Sequence, residues 1–341
     1  MRVMYTVDAA WLARTVEDVV DPDAEIVDPH HHLWEHEGMT RYLLDDLHAD
    51  TGAGHRVVQT VFVECGWAYR TDGPRHLSTV GETEFVAGLA AESAARPGAA
   101  EIAGIVSTCD LRLPLEQLDE ALAAHEAAGA GRFRGIRHRV AHEATGSAPS
   151  SRAASTPGGL MADAEFRRGV VRLGERGHSF DAWLYHPQLP ELVGLAQAAP
   201  GTTIVLDHVG GPLGIGAYAG RSAESRAFAR AQWPALAACP NVVVKVGGIG
   251  MTIYGDGWPE RAAPPTSDEV VTVWGDDLRA VIDAFGPERC MFESNFPVDK
   301  EGIGYVVLWN AFKKVAARYS PSERADLLAG TARRAYRLGG Q

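Results

Sequence analysis

Short runs of β-branched and apolar residues alternate along this chain with longer segments of helical periodicity. Eight of the short runs predict strands, at residues 25–29, 57–64, 102–107, 133–140, 179–185, 203–207, 241–246 and 290–293. Helices are predicted between them at residues 81–96, 115–128, 163–176, 191–199, 222–238 and 275–285. Such alternation is typical of a parallel sheet with crossover helices. Eight strands favour a closed (β/α)8 barrel, the TIM-barrel fold of the α/β class, over an open sheet.

Residues 1–24 precede the first predicted strand and form an N-terminal extension, which leaves residues 25–341 as one barrel domain. Long loops at 141–159, 210–220 and 251–267 follow the fourth, sixth and seventh predicted strands. In a barrel these loops lie on the carboxyl side, where substrate pockets are built. We expect the C-terminal segment, residues 320–338, to pack against the barrel exterior.

The composition limits the kinds of molecule that this protein is expected to bind. The net charge of −12 disfavours nucleic acid, which requires a basic surface. The four cysteines form no CxxC pair, the first residues do not resemble a secretory signal, and no apolar run is long enough for a membrane span. We therefore expect a cytoplasmic protein, a homo-oligomer or a monomer, that acts on a small-molecule substrate rather than on a membrane.

Three consecutive histidines end the first predicted strand, in the run DPHHHLW at residues 28–34. Side chains two apart on a strand share a face, so His30 and His32 should point into the barrel mouth with Asp28 on the same face, and His31 away. Two neutral imidazoles at this spacing can hold one divalent metal or position a substrate carbonyl. The alternative is a polar turn with solvated histidines.

A further histidine, His208, closes the sixth predicted strand in the run LDHVGGP at residues 206–212. The glycines that follow it allow another group to approach closely. A lone histidine is more often structural, but the carboxyl end of a barrel strand favours chemistry.

The runs DPHHHLW, LDHVGGP and FESNFPVD (residues 292–299) resemble the amidohydrolase-related family of TIM-barrel hydrolases. Within that family the chain resembles the branch of sugar-lactone and pyrone-dicarboxylate lactonases, from about Trp11 to the C-terminus. The resemblance implies hydrolysis of a lactone or a related ester. Some members of the family are instead metal-dependent decarboxylases, and some lactonases of this branch work without a bound metal.

The last predicted strand departs from the family pattern. There the family has Gly-Ser-Asp-aromatic-Pro, and its aspartate is the general acid or base and a metal ligand where metal is present; this chain has Asn295 in its place. An amide cannot accept a proton near neutral pH. We hypothesise that Glu293, two residues earlier on the same inward face, or Asp299, four residues later, moves the proton. The alternative is a protein with reduced or altered activity.

The fourth predicted strand carries Arg137 and Arg139, two residues apart and so on one face. They can hold a substrate carboxylate or polarise a carbonyl. Equally, they can form ion pairs inside the barrel with Glu64, Asp181 or Glu293.

Four further residues are candidates for substrate contact. Lys245 on the seventh predicted strand and Glu64 at the end of the second can bind substrate or pair with a buried opposite charge. Trp67 and Tyr185, near strand ends, can stack on a ring, although packing is the commoner role of such aromatic residues.

The sequence thus predicts a hydrolase of a small cyclic ester in which His30, His32 and His208 polarise the carbonyl or activate water. One divalent ion, zinc or manganese, could be held by these three histidines, or the site could be metal-free. The alternatives are a metal-dependent decarboxylase on the same barrel and a binding protein that has lost the acid of the last strand.

Overall fold

Eight parallel strands follow one another around a sheet in a computed structural model that describes residues 5–146 and 156–339. The strands are β1 (Glu25–His31), β2 (Arg56–Val63), β3 (Glu101–Ser107), β4 (Phe133–Arg137), β5 (Ser179–Ala182), β6 (Ile204–Leu206), β7 (Val242–Gly247) and β8 (Cys290–Glu293). Hydrogen bonds from His32 N to Phe296 O (2.7 Å) and from Asn295 N to His30 O (2.9 Å) join the end of β8 to β1. The predicted (β/α)8 barrel is confirmed.

Eleven α-helices lie within the described residues. They are α1 (Ala9–Leu12), α2 (Leu44–Thr51), α3 (Val80–Ala94), α4 (Leu115–Ala128), α5 (Ala164–Glu175), α6 (Leu189–Ala198), α7 (Ser222–Ala237), α8 (Ser267–Phe285), α9 (Tyr305–Ala316), α10 (Pro321–Ala325) and α11 (Thr331–Tyr336). None of them is long and apolar enough to cross a membrane.

Helix α8 begins eight residues before its predicted start at residue 275. The Thr266 side chain accepts a hydrogen bond from Glu269 N, and the Glu269 side chain accepts one from Thr266 N. This reciprocal capping box satisfies two of the donors that a helix start leaves unpaired, and it fixes the first turn earlier than the apolar periodicity suggests.

Alternation along the strands separates the two faces of the barrel wall, as expected for a period of two. On β2, Val61 and Val63 point inward, whereas Phe62 packs outward among the helices. On β7, Lys245 points inward between the outward Val244 and Val246. Lys245 and Glu293, inward residues near the carboxyl ends of β7 and β8, are charged, so the chemistry of the site lies inside the wall.

The C-terminal segment covers one end of the barrel interior, so the prediction that it packs against the exterior is wrong. Its small and apolar side chains pack on the inward residues of the strands, together with Tyr336, whose hydroxyl donates a hydrogen bond to Asp181 Oδ2 (2.5 Å). The packed set is Val27, Val61, Val63, Ala103, Val106, Val205, Met291, Ala329, Ala332, Ala335, Tyr336 and Leu338. Alanines at three of these positions let the segment approach the strands closely, and Tyr336 enters the barrel.

The described part of the N-terminal extension crosses the region around α8 and α9. Trp11 Nε1 donates to Arg261 O (2.8 Å), and the Glu17 carboxylate accepts hydrogen bonds from Ser267 and Asn310. The predicted loop at residues 141–159 lies partly outside the described residues, which resume at Thr156.

Replacing Tyr336 with alanine tests whether this residue plugs the barrel. Tyr336→Ala should lower the free energy of unfolding by about 3–5 kcal/mol, because it removes a fully buried ring and one hydrogen bond to a buried carboxylate. Urea denaturation measures the change, and Tyr336→Phe, which keeps the ring, should lose only about 1 kcal/mol. A loss below about 1 kcal/mol for the alanine variant would contradict a plugging role.

Candidate active site

The three predicted histidines come together above the barrel. The ring centroids of His30 and His32 are 4.9 Å apart, and those of His30 and His208 are 4.6 Å apart. His31 lies on the other face, as expected, with its Nε2 3.0 Å from Thr60 Oγ1. His30 is therefore the central ring, flanked by an imidazole on each side.

Glu293 bridges two of these rings. Its Oε2 lies 2.8 Å from His30 Nδ1, and its Oε1 lies 2.6 Å from His208 Nδ1. The His208 contact is a hydrogen bond, and since a carboxylate only accepts, His208 Nδ1 carries the proton and His208 Nε2 carries a lone pair. The His30 contact is a close approach without hydrogen-bond geometry. The donors beside His30 are Lys245 Nζ, 3.1 Å from Nδ1, and Arg137 Nη1, 3.2 Å from Nε2.

His32 has the same tautomer as His208, for a different reason. Its Nδ1 donates to Val63 O (2.7 Å), which leaves the lone pair on Nε2. Burial, together with the nearby Arg137, holds the pKa of His32 well below its usual range. Burial, Lys245 and the neighbouring histidines do the same for the pKa of His30. Both rings are therefore neutral acceptors near neutral pH.

Two glycines at the end of β7 make room for this arrangement. A Cβ on Gly247 would lie 2.4 Å from Glu293 Cγ, and one on Gly248 would lie 2.6 Å from His208 Cγ. Gly248 also has φ +71°, a conformation that favours glycine. These glycines, in the GGIG run at residues 247–250, therefore leave the space that the Glu293–His208 pair occupies.

Lys245 lies at the centre of the charged interior. Its Nζ is 2.8 Å from Asp181 Oδ2, 3.1 Å from Asp207 Oδ1 and 3.1 Å from His30 Nδ1. Burial disfavours the ammonium, but Asp181, Asp207 and Glu293 outweigh it and raise the pKa of Lys245. Lys245, His208 and Arg137 in turn outweigh burial at Asp207 and lower the pKa of that carboxyl.

The two arginines of the fourth strand region share one carboxylate. Arg137 Nε and Arg139 Nε lie 2.9 Å and 2.7 Å from Glu64 Oε1. The ion-pair alternative therefore describes both arginines. Arg137 is buried beside His30, whereas the Arg139 side chain, beyond the end of β4, is 26% exposed and is the member of the group that reaches solvent.

Comparison with known proteins gives the family of this site. The amidohydrolase family pattern matches residues 27–338. The chain belongs to the amidohydrolase family. It is 33% identical over 262 residues to the L-fucono-1,5-lactonase of Burkholderia multivorans, covering 75% of this chain and 77% of the relative. It is 30% identical over 346 residues, 93% of this chain and 99% of the relative, to the uncharacterised protein y4mH of Sinorhizobium fredii.

A solved structure supports the same assignment. A Burkholderia multivorans amidohydrolase, crystallised with bound zinc, superposes with a TM-score of 0.71 at 29% identity, over 93% of this chain and all of that one. This chain is therefore an enzyme of the hydrolase class, as predicted.

The residues whose ligand atoms cluster closely enough to hold a metal ion differ from the predicted set of His30, His32 and His208. Ligating atoms of His30, Asp207 and His208 all lie within 4.8 Å of one another, whereas His32 is outside this group. Both carboxylate oxygens of Asp207 are buried and lack a hydrogen-bond partner among the described residues. Oxygen and imidazole donors of this kind suit a divalent ion such as zinc, so the donor set fits, although Lys245 lies against two of the same atoms.

Asn295 and Asp299 form a pair of their own. Asn295 Nδ2 donates to Asp299 Oδ1 (2.7 Å), and Gly250 N donates to Asp299 Oδ2 (2.8 Å). Burial raises the pKa of Asp299 well above its usual range, and the charge of Glu293 adds to the rise. Glu293 and Asp299 were the two acids predicted to replace the family's aspartate at position 295. Glu293 contacts the imidazoles of His30 and His208, whereas Asp299 is held by Gly250 and Asn295.

Asp28 does not share the face of His30, contrary to expectation. It accepts hydrogen bonds from Ser294 N (2.9 Å) and from Tyr305 of the outer helix α9 (3.0 Å), and burial raises its pKa to about 6. The pairing of β1 with β2 shifts register between Asp28 and His31, and this irregularity breaks the alternation.

The aromatic candidates pack against other rings. The Trp67 ring packs edge-on against His36 (5.0 Å), and the fully buried Tyr185 packs against Trp183 (5.6 Å). Trp183 is the aromatic ring that contacts His208, with centroids 4.8 Å apart.

A cavity of about 270 Å³ opens beside Arg139. It lies on the side of β2 to β4, and its lining does not include the three histidines. The lining residues are Glu64, Tyr69, Thr108, Arg112, His138, Arg139, Thr156, Pro157 and Leu160. Polar and cationic side chains predominate, so the cavity suits a hydroxylated or acidic group.

Sequence reasoning missed Asp207 as a site residue. His208 and Val209 both have left-handed backbone, with φ of +55° and +50°. The chain therefore leaves the strand pattern at this point, and the adjacent Asp207 and His208 both enter the site. The LDHVGGP run contains the signal, since an acid beside the histidine precedes two glycines.

Restoring the family's aspartate at position 295 should destabilise this protein. Asn295→Asp places a second carboxylate against Asp299, so the pair must retain a proton. The folded state then binds more protons than the unfolded state, and stability falls as the pH rises. We expect a loss of about 1–3 kcal/mol in the free energy of unfolding at pH 8 and a smaller loss at pH 5, measured by urea denaturation.

The double variant Asn295→Asp/Asp299→Asn is the matched control. It exchanges donor and acceptor, and should recover most of the lost stability. Equal stability of Asn295→Asp and the unsubstituted protein at pH 8 would contradict this account of the pair.

Proposed function

We propose that this amidohydrolase hydrolyses a small sugar-acid or carboxylated lactone, with His208 as the general base. The observation that carries the proposal is the 2.6 Å contact between His208 Nδ1 and Glu293 Oε1 inside the barrel. A buried carboxylate that holds an imidazole in one tautomer also stabilises the imidazolium that forms when Nε2 takes a proton. Glu293 thereby compensates for the absent strand-8 aspartate through His208.

In the proposed reaction, His208 Nε2 takes a proton from water as the water oxygen adds to the lactone carbonyl carbon. The ring C–O bond then breaks, and His208 returns the proton to the departing ring oxygen. The product is the open-chain hydroxy acid. His32, a neutral acceptor at Nε2, is suited to a substrate hydroxyl.

The cations of the site support an oxygen-rich substrate. Arg139 reaches solvent beside a cavity that Arg112 also lines, and both can donate hydrogen bonds to hydroxyl or carboxylate oxygens. Arg137 and Lys245 lie deeper and contribute positive potential where carbonyl oxygen gains negative charge.

A divalent ion, zinc or manganese, would be held by His30, Asp207 and His208. Because Glu293 occupies His208 Nδ1, the ion would take the lone pair on His208 Nε2, and it would then supply polarisation of the carbonyl or a lower pKa of water in place of the base. The zinc in the related Burkholderia structure supports this set as a metal site. The lactonase name of the 33% identical relative supports the choice of substrate class.

A panel of sugar-acid and pyrone lactones, assayed for acid release with chelator, added zinc or added manganese, tests the proposal. We expect turnover of at least one lactone, and a fall in kcat of about a hundredfold or more in His208→Asn, because the proton acceptor is lost. His186→Asn is the matched control: His186 is a buried histidine that accepts a bond from Leu213 N, and its loss should change kcat little.

Two results would contradict the proposal. One is equal turnover by His208→Asn and the unsubstituted enzyme. The other is an absence of lactone turnover together with carbon dioxide release from carboxylated aromatic acids, which would identify a decarboxylase.

A further inference from the structure

The Lys245 ammonium is surrounded by acceptor atoms in the way that a bound metal ion would be. Its Nζ contacts Asp181, Asp207 and His30 at 2.8–3.1 Å, and these three residues belong to β5, the turn after β6, and β1. The lysine side chain is fully buried. Oxygen and nitrogen atoms from separate strands therefore converge on one ammonium.

The same pair of atoms would hold a metal ion. His30 Nδ1 and Asp207 Oδ1 are 3.7 Å apart, and Lys245 Nζ lies 3.1 Å from each. Zinc binds nitrogen and oxygen at about 2.0–2.2 Å, so an ion shared by these two atoms would lie less than about 4 Å from Nζ. Two positive charges at that distance inside a protein repel strongly.

The other nitrogen of His30 does not avoid the conflict. Nε2 lies 3.2 Å from Arg137 Nη1, and the same Nη1 lies 3.7 Å from Asp207 Oδ2. An ion approaching from either side of the ring therefore meets a cation of the protein.

Asp181 and Tyr336 also hold the Lys245 side chain in place. Asp181 accepts hydrogen bonds from Lys245 and from the Tyr336 hydroxyl, and Lys245 Nζ lies 5.4 Å from the centre of the Tyr336 ring. A buried lysine held by an acid and a ring cannot swing to solvent to admit a metal.

We propose that Lys245 is a built-in cation that competes with a divalent metal for His30 and Asp207. The unsubstituted protein then binds zinc weakly, and removal of the ammonium creates a tight site on His30, Asp207 and His208. The inference concerns the cation at the site and does not depend on a lactone being the substrate.

Calorimetric titration of zinc into metal-stripped protein tests whether Lys245 competes with the metal. Lys245→Met should bind one zinc at least about a hundredfold more tightly than the unsubstituted protein, and the double variant Lys245→Met/Asp207→Asn should lose that gain. Lys300→Met is the matched control. Lys300 forms a similar group, with Nζ 2.7 Å from Asp50 and 5.4 Å from the Tyr42 ring, away from the histidines.

Unchanged zinc affinity in Lys300→Met, with the gain confined to Lys245→Met, is the expected result. Tight one-to-one zinc binding by the unsubstituted protein, or no tightening in Lys245→Met, would overturn the proposal. If Lys245→Met does not fold without metal, Lys245→Gln, which retains a donor for Asp181, should show the same gain by calorimetry and by zinc-induced thermal stabilisation.

Discussion

The structure depends on keeping a carboxylate, Glu293, inside a closed barrel, where it accepts hydrogen bonds from His208 and lies 2.8 Å from His30 Nδ1. An isolated ion in such a place is strongly disfavoured. His208 supplies hydrogen bonds to it, and Lys245 supplies opposite charge from the neighbouring strand. The tautomer of His208, and with it the lone pair on His208 Nε2, follows from this arrangement.

The rest of the fold protects that arrangement. The C-terminal segment plugs the barrel with Tyr336, which keeps water from the Lys245–Asp181 pair. Removing one member of a buried ion pair typically costs about 3–5 kcal/mol, far more than a surface pair is worth. The interior charges therefore act as a unit, because each is compensated by its neighbours.

Local sequence patterns predicted much of the fold and part of the site. Strand periodicity predicted the eight strands and the inward direction of Glu293, and the spacing of His30 and His32 placed both rings at the mouth. The predictions that were wrong or missing concern features that depend on non-local or irregular structure. The register shift after Asp28 and the left-handed turn at His208 break the alternation on which sequence reasoning relies. Tyr336, 155 residues from Asp181, leaves no local signal.

The central claim, that Glu293 fixes the tautomer of His208, is tested most directly by long-range ¹H–¹⁵N spectra of the histidine side chains in the unsubstituted protein. The account predicts that His208 is protonated at Nδ1 and bare at Nε2 at neutral pH. A proton on Nε2 of His208, with Nδ1 bare, would contradict it.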